Sequence, residues 1–376
     1  MKTRYALLVA ALFVAGCAGT TALPSSGTAP SASIASASTP PLHYRVFTAG
    51  KTAGFPADGF ANDIAADPSG NVWFTDTGTH AIGRITKNGK VTEFSAGLNP
   101  GAEPYSIVAG TNGTMWFTDA SGLALGSISP GGTIREFADV RVTNVRAQNI
   151  ALDARGRPWI AASGPNGTLA FLSQSGRVVP VALPSGLSPN GSLASDGSGN
   201  LWLFAQTSSG GVTIVEHSPG SFSQIATPLQ PIADPCCPNV APKPMTLGND
   251  GNIWFTGLYY GWPKYPGAKI VGTVRKGTVV LFRAKHNSGL AAFPSGIAAG
   301  GKRIWFTGGD PFQPNGALWE IDERGRQTVA ALAYNPIGLT VDAAGNPWFT
   351  ASFPGQPNRI VEILDLTPAA QTTPRL

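Results

Sequence analysis

The sequence has few charged residues: Asp, Glu, Lys and Arg make up 12% of its 376 residues, against a usual share of about 25% in soluble domains. Its formal net charge of +5 is too small over this length to predict nucleic-acid binding. Glycine and proline are abundant, with 47 and 32 residues. Many turn-forming residues and few helix-forming runs predict short strands joined by tight turns.

Cysteine is also scarce, with three residues in the chain. Cys17 belongs to an N-terminal segment, and Cys236 and Cys237 are adjacent between two prolines. This spacing excludes a closed zinc site, because such a site needs four ligands. A strained vicinal disulfide and two free thiols both fit the adjacent pair.

The one N-terminal apolar run is too short to cross a bilayer, which needs about 20 residues. Residues 5–14 are apolar and follow Lys2 and Arg4, and the run ends in Val14-Ala15-Gly16-Cys17. This order is typical of a signal peptide. Its last four residues are similar to the lipobox of bacterial lipoproteins, which implies cleavage before Cys17 and lipidation of its thiol. An ordinary secretory signal is the alternative.

The segment after Cys17 is rich in Ala, Ser and Pro and nearly uncharged, which predicts a flexible tether. We expect a lipoprotein signal peptide at 1–16, a lipid-anchored tether at 17–41, a folded domain at 42–366 and a tail at 367–376. The protein would then lie in the bacterial cell envelope and contact the membrane through its lipid anchor only. In a Gram-negative source it would face the periplasm from the outer membrane.

One motif recurs along the rest of the chain. Its first copy is Asn71-Val72-Trp73-Phe74-Thr75-Asp76, and its tryptophans recur every 43 to 52 residues, at Trp73, Trp116, Trp159, Trp202, Trp254, Trp305 and Trp348. Such a period is typical of repeat architectures. Turn residues such as Asn88-Gly89 separate short alternating runs, four per unit. Seven units predict an all-β, seven-bladed β-propeller with four antiparallel strands per blade.

The seventh unit ends without a fourth strand, whereas Tyr44-Arg45-Val46-Phe47 has a strand pattern and precedes the first unit. We predict that this N-terminal strand completes the last blade and closes the ring. The tryptophans are expected to pack one blade against the next. The Asp-x-x-Gly turns are expected to supply the positive φ of tight hairpins.

Residues before the first strand and after the second strand of each unit should meet at one face of a propeller. The positions before the first strand are Asn62, Tyr105, Gln148, Gly191, Lys243, Ser295 and Ile337. We predict ligand-binding residues at this face, namely Asn62, Asp63, Tyr105, Gln148, Asn149 and Lys243. After the second strand stand Asp76 and Asp119 in the first two units, which are candidate ligands for Mg²⁺ or Ca²⁺.

An insertion after Trp254 is rich in aromatic residues. We predict that this loop forms a recognition rim on the same face, through Tyr259, Tyr260, Trp262 and Tyr265. Packing over an exposed blade is the alternative. The expected partner is a small molecule, an envelope protein or a glycan, and we expect a monomer.

The repeats at Ile64–Phe94 and Ile107–Phe137 resemble those of the virginiamycin B lyase (streptogramin lyase) family over about residues 42–366. The resemblance implies magnesium-dependent elimination that opens the ester bond of streptogramin B cyclic peptides, with histidine and glutamate at the channel mouth. Here Asp76 and Asp119 stand where glutamate is expected. Of the four histidines (His43, His80, His217 and His286), His80 lies nearest the relevant loop, which makes it the candidate catalytic base.

Two hypotheses follow. In the first, an envelope propeller binds a small molecule or partner at the top face and does not preserve the lyase site. In the second, it is a metal-dependent carbon–oxygen lyase acting on a cyclic ester or related substrate. A purely architectural scaffold is a third reading.

Overall fold

A computed structural model describes residues 42–364, apart from 122–123, 139–145, 164–166, 210, 226–241, 262–264, 285–292 and 310–312. The predicted signal peptide, tether and tail, together with Cys17, Cys236 and Cys237, lie outside the described residues. The described elements are 28 β-strands in seven four-stranded antiparallel sheets. Within these ranges no helix is long and apolar enough to cross a membrane.

Each sheet is one blade, and the first four blades follow one another along the chain. Blade 1 contains β2 (Ala61–Ala66), β3 (Val72–Asp76), β4 (Ala81–Ile85) and β5 (Val91–Phe94). Blade 2 contains β6 (Pro104–Ala109), β7 (Met115–Asp119), β8 (Ala124–Ile128) and β9 (Ile134–Ala138). Blade 3 contains β10 (Arg146–Leu152), β11 (Pro158–Ser163), β12 (Thr168–Leu172) and β13 (Val178–Val181). Blade 4 contains β14 (Leu187–Ser195), β15 (Leu201–Thr207), β16 (Val212–Ser218) and β17 (Ser221–Ile225).

The last three blades include the longest strands and the closure of the ring. Blade 5 contains β18 (Pro242–Leu247), β19 (Ile253–Gly261), β20 (Tyr265–Arg275) and β21 (Thr278–Arg283). Blade 6 contains β22 (Phe293–Gly300), β23 (Arg303–Gly309), β24 (Gly316–Ile321) and β25 (Gln327–Leu332). Blade 7 contains β26 (Pro336–Val341), β27 (Pro347–Ala351), β28 (Arg359–Ile363) and the N-terminal β1 (Tyr44–Thr48).

The ring closes as predicted. Tyr44 pairs with Ile363 and Thr48 with Arg359, so β1 forms the outer strand of blade 7. The innermost strands contact one another in order from β2 to β26, and β26 contacts β2. The seven-bladed propeller predicted from the tryptophan period is therefore confirmed.

Apolar clusters between neighbouring blades form the core. Trp73 from blade 1 packs with Ile107 and Phe117 from blade 2, and Trp254 from blade 5 packs with Phe306 from blade 6. Six of the seven repeat tryptophans are buried, and Trp116 is half-buried. The prediction that these residues hold adjacent blades together is confirmed, since large aromatic side chains dominate such interfaces.

The turn between the first two strands contains an interaction that the sequence analysis did not identify. In blade 1, Asp67 Oδ1 accepts hydrogen bonds from the Ser69 and Asn71 amides, while Oδ2 accepts one from Trp73 Nε1 at 2.9 Å. Gly70 in this turn has φ of 83°, as predicted. The same bond from indole to carboxylate occurs in four other blades, as Asp153–Trp159, Asp196–Trp202, Asp250–Trp254 and Asp342–Trp348.

The threonine of the Trp-Phe-Thr motif connects neighbouring inner strands. Thr75 Oγ1 accepts a hydrogen bond from the Asp63 amide at 3.1 Å and donates one to Tyr105 O at 2.8 Å in blade 2. Thr350 Oγ1 does the same between Gly338 N and Asn62 O. These bonds fix the spacing of the strands around the central channel.

Candidate functional site

The inner strands of all seven blades surround one central cavity of about 690 Å³. This volume lies within the range of about 300–1,000 Å³ that is usual for ligand pockets. Its polar wall residues are Asn62, Asp63, Tyr105, Ser106, Asn149, Ser192, Thr246, Ser295 and Thr340. The central channel is therefore the candidate site.

A β-bulge interrupts the innermost strand pair of every blade. In blade 1 the register shifts between Ala61 and Ile64, and in blade 2 between Pro104 and Ile107. The other five blades show a shift at the corresponding place. Bulges redirect side chains and are common next to functional sites. The positions predicted from the sequence fall at or beside these bulges.

Four of the predicted ligand-binding residues lie together on the cavity wall: Asn62, Asp63, Tyr105 and Asn149. Asn62 Nδ2 donates a hydrogen bond to Tyr105 O at 2.8 Å, so this amide group joins blade 1 to blade 2. Its Oδ1 has no hydrogen-bond partner within the described part of the chain. Asn62 therefore lies on the cavity wall and holds the neighbouring strand.

Asp63 also accepts hydrogen bonds across the boundary between blades 1 and 2. Its Oδ2 accepts hydrogen bonds from Ser106 Oγ at 2.7 Å and the Ile107 amide at 3.0 Å, and its Oδ1 accepts one from the Ile64 amide at 2.9 Å. Burial raises the pKa of the Asp63 carboxyl, and the three hydrogen bonds oppose that rise. Ser106 was not predicted, because nothing in its own repeat marks it as a partner of Asp63.

Two further predicted residues, Gln148 and Lys243, lie on the inner strands β10 and β18. Their side chains are outside the described part of the structure. Their role in ligand binding therefore stays a prediction.

The predicted metal ligands do not line the cavity. Asp76 is fully buried, and its Oδ1 accepts hydrogen bonds from the amides of Phe60, Gly78 and Thr79. In blade 2, Asp119 Oδ1 likewise accepts bonds from two loop amides, those of Glu103 and Ser121. Both aspartates therefore hold loops at the ends of their blades.

His80 is exposed on the loop between β3 and β4 and has φ of 53°. Its Nδ1 lies 2.7 Å from Ala102 O in blade 2, so Nδ1–H donates this bond. His80 is not part of the cavity wall. The predicted base therefore lies on the rim of the propeller rather than beside a ligand in the channel.

A family model described as the virginiamycin B lyase family matches residues 44–230. The chain belongs to this family. A catalytically inactive virginiamycin B lyase from Staphylococcus aureus, solved with quinupristin, is 18% identical, with a TM-score of 0.64 over 86% of this chain and 100% of that one. A streptogramin B lyase structure is 19% identical, with the same TM-score over 86% of this chain and 98% of that one.

The propeller also occurs in more distant proteins. A chain of hydrazine synthase from Kuenenia stuttgartiensis is 13% identical, with a TM-score of 0.63 over 81% of this chain and 96% of that one. No curated protein matches the chain. At these identities the structural likeness supports the fold alone, and the family model supplies the membership.

Within the described part of the chain, the acid–base and metal groups implied by the family do not converge. Among the described residues, the cavity wall contains neither histidine nor glutamate. Within the described ranges, no three His, Cys, Asp or Glu side chains are grouped so that they could hold a metal ion. The described residues therefore do not fit the Mg²⁺ that the virginiamycin B lyase family implies.

Glu93 on β5 has an unusual environment that the sequence analysis missed. Burial and the neighbouring Asp76 carboxylate raise its pKa to about 7. Glu93 Oε1 and Asp76 Oδ2 are both buried without a hydrogen-bond partner among the described residues. Two acceptors facing each other form a hydrogen bond only when one carries a proton, so this pair favours one shared proton. No local pattern signals it, because 17 residues separate the two carboxyl groups.

The aromatic insertion differs from the predicted loop. Strand β19 continues to Gly261 and β20 begins at Tyr265, with Tyr259 paired to Ala268. The insertion is therefore mainly an extended hairpin, because backbone pairing continues beyond the usual blade end. The side chains of Tyr259, Tyr260 and Tyr265, and all of Trp262, lie outside the described part.

Proposed function

We propose that this protein binds a small polar molecule in its central channel and does not carry out the lyase reaction of its family. The supporting observation is the cavity of about 690 Å³, whose wall carries Asn62, Tyr105 and Asn149 at or beside bulges of three adjacent blades. Binding pockets typically combine an apolar lining with a few convergent polar groups. The inner-strand isoleucines and leucines supply the apolar part.

The chemistry of the wall favours binding over elimination. An elimination needs a base within hydrogen-bond reach of the proton to be removed. The Asp63 carboxylate is already engaged with three donors, and His80 is not on the wall. Binding requires neither group to change its protonation state.

Native mass spectrometry of protein incubated with a cell-envelope extract tests this proposal. The wild type should carry a small-molecule adduct, and Asn149→Phe, which narrows the cavity, should lose it. Asn88→Phe is the matched control, because Asn88 is exposed in a turn far from the wall. An adduct that survives in Asn149→Phe, or no adduct on the wild type, would contradict channel binding.

A metal-dependent carbon–oxygen lyase is the second candidate, which membership of the virginiamycin B lyase family favours. Incubation with quinupristin and Mg²⁺, followed by mass spectrometry, distinguishes the two. Ring opening that requires the protein would support the lyase. Intact quinupristin, while a turnover-competent lyase opens it in parallel, would support a binding protein.

We further propose that Cys17 carries a lipid anchor and holds the monomeric propeller in the cell envelope. The supporting feature is the Val14-Ala15-Gly16-Cys17 sequence after an apolar segment. Cys17→Ser should move the protein from the membrane fraction to the soluble envelope fraction. An envelope protein or glycan that binds the extended β19–β20 hairpin is the alternative partner to a small molecule.

A further inference from the structure

The cavity wall carries one charged side chain within the described part of the chain, Asp63. The remaining described wall residues are neutral. Asp63 is partly exposed, but burial of its carboxyl group raises its pKa. The carboxyl group therefore lies on the cavity wall, and the surrounding protein separates it from most of the water.

The hydrogen bonds around Asp63 favour its ionised form. A carboxylate accepts hydrogen bonds, and three donors are aimed at this one. Oδ2 receives two of them and Oδ1 receives one. Since each oxygen has two acceptor sites, one site remains on Oδ1. The cavity therefore presents a carboxyl group with a free acceptor position.

A glycine keeps that position accessible. Gly338 on β26 also lines the cavity. A Cβ atom at this position would lie 3.2 Å from Asp63 Oδ1 and 3.1 Å from Asn62 O. Any side chain at 338 would thus crowd the oxygen that still has a free acceptor site.

The wall combines polar and apolar side chains. Blades 1 and 3 contribute Asn62, Asp63 and Asn149, and blades 5 to 7 contribute Met245, Ile297 and Ile337 beside three hydroxyl side chains. A pocket lined by charge of a single sign concentrates ligands of the opposite sign. A metal ion is disfavoured, because the described residues contain no group of three metal-binding side chains.

We propose that the channel binds an organic amine, whose ammonium group donates to Asp63 Oδ1 and whose apolar body packs on Met245, Ile297 and Ile337. This inference rests on the proposed binding function and specifies its ligand class. Anions should bind more weakly, because an ionised Asp63 repels them. Neutral molecules bind more weakly because they do not neutralise the buried carboxylate.

Three probes of similar size test the ligand class: phenethylamine, 2-phenylethanol and 3-phenylpropionate. Binding to the full-length protein is measured by saturation-transfer NMR and titration. The amine should bind at least about tenfold more tightly than the alcohol, and the carboxylate should not bind. Equal affinities of amine and alcohol, or tighter binding of the carboxylate, would overturn the inference.

Matched variants test whether the Asp63 carboxylate causes the preference for the amine. Asp63→Asn should reduce the affinity for phenethylamine to that for 2-phenylethanol, whereas Asp58→Asn removes an exposed charge from the loop before β2 and should have no effect. Ser106→Ala removes one donor that favours the Asp63 carboxylate and should weaken the preference for the amine. If Asp63→Asn does not fold, the wild-type preference and its reduction in Ser106→Ala still decide the outcome.

The failure of this inference is distinguishable from the failure of channel binding. If none of the three probes binds, or if binding persists in Asn149→Phe, the channel is not a ligand site. If the alcohol binds in the channel and the amine has no advantage, the channel is a site but Asp63 does not select the ligand. Displacement of phenethylamine by Mg²⁺ or Ca²⁺ would assign Asp63 to a metal ion and overturn the inference.

Discussion

Replacing Asp67 with alanine should strongly destabilise the propeller. The substitution removes the acceptor of Trp73 Nε1, which belongs to a fully buried indole. It also removes two amide bonds and one bond from Asn71 Nδ2 within the turn. These turn donors are near the surface and can bind water instead, whereas the indole cannot.

The size of this effect follows from those contacts. A buried donor left unsatisfied costs about 1–3 kcal/mol, and a hydrogen bond to a charged group contributes about 1.5–3 kcal/mol. One lost indole bond and weakened turn bonds give about 3–5 kcal/mol for Asp67→Ala. With about 2 °C per kcal/mol for a large domain, the melting temperature should fall by roughly 6–10 °C.

A matched control separates the indole bond from the turn itself. Asp322 occupies a similar Asp-x-x-Gly turn and bonds to Arg324 N, Arg326 N and Arg326 Nε, but to no tryptophan. Asp322→Ala should cost only about 1 kcal/mol. Urea denaturation followed by tryptophan fluorescence measures both variants. Equal losses for Asp67→Ala and Asp322→Ala would refute the role assigned to the indole bond.

The other predictions concern pH, packing and metal. The folded protein holds a proton on Glu93 more tightly than the unfolded chain does, because the pKa of Glu93 is raised to about 7. The resulting stabilisation is fully present below the unfolded pKa and is lost as pH rises through about 7. The difference in melting temperature between wild type and Glu93→Gln should therefore change between about pH 5 and pH 8, and a constant difference would contradict this. Gly83→Ala should destabilise by about 1–3 kcal/mol in urea denaturation, because its Cβ would lie 1.9 Å from Phe74 Cζ; wild-type stability would contradict this. Millimolar Mg²⁺ should not change the melting temperature, and a rise that Asp76→Asn abolishes would instead indicate a cation site.

The architecture could be predicted because each blade repeats the same local sequence pattern. The spacing of Trp73 and its counterparts sets the blade number, and the strand pattern of Tyr44–Phe47 supplies the strand missing from the last unit. Such signals depend on residues close in sequence. The positions of Asn62 and Tyr105 on the wall could be predicted for the same reason, since each occupies a fixed place in its own repeat.

The remaining features depend on contacts between distant residues. Asp76 ends a strand at the predicted face, but the amides of Phe60, Gly78 and Thr79 bind its carboxylate, and it does not line the cavity. Glu93 acquires its raised pKa from Asp76 across the blade. Local patterns in one sequence do not reveal these contacts between distant residues.

Blades 1 and 2 contribute to the channel and to the rim in different ways. On the wall, Asn62 and Asp63 hold the strands together through bonds to blade 2. On the rim, Asp76 and Glu93 form a buried pair of carboxyl groups. The channel and the Asp76–Glu93 pair therefore lie in separate parts of the propeller.

Hydrogen–deuterium exchange with and without phenethylamine tests the central claim, that the channel is the ligand site, most directly. Exchange should slow at the bulged inner segments that contain Asn62, Tyr105 and Asn149, and stay unchanged in the outer strands β5 and β9. Protection confined to the extended β19–β20 hairpin, or absent from the inner strands, would contradict the assignment.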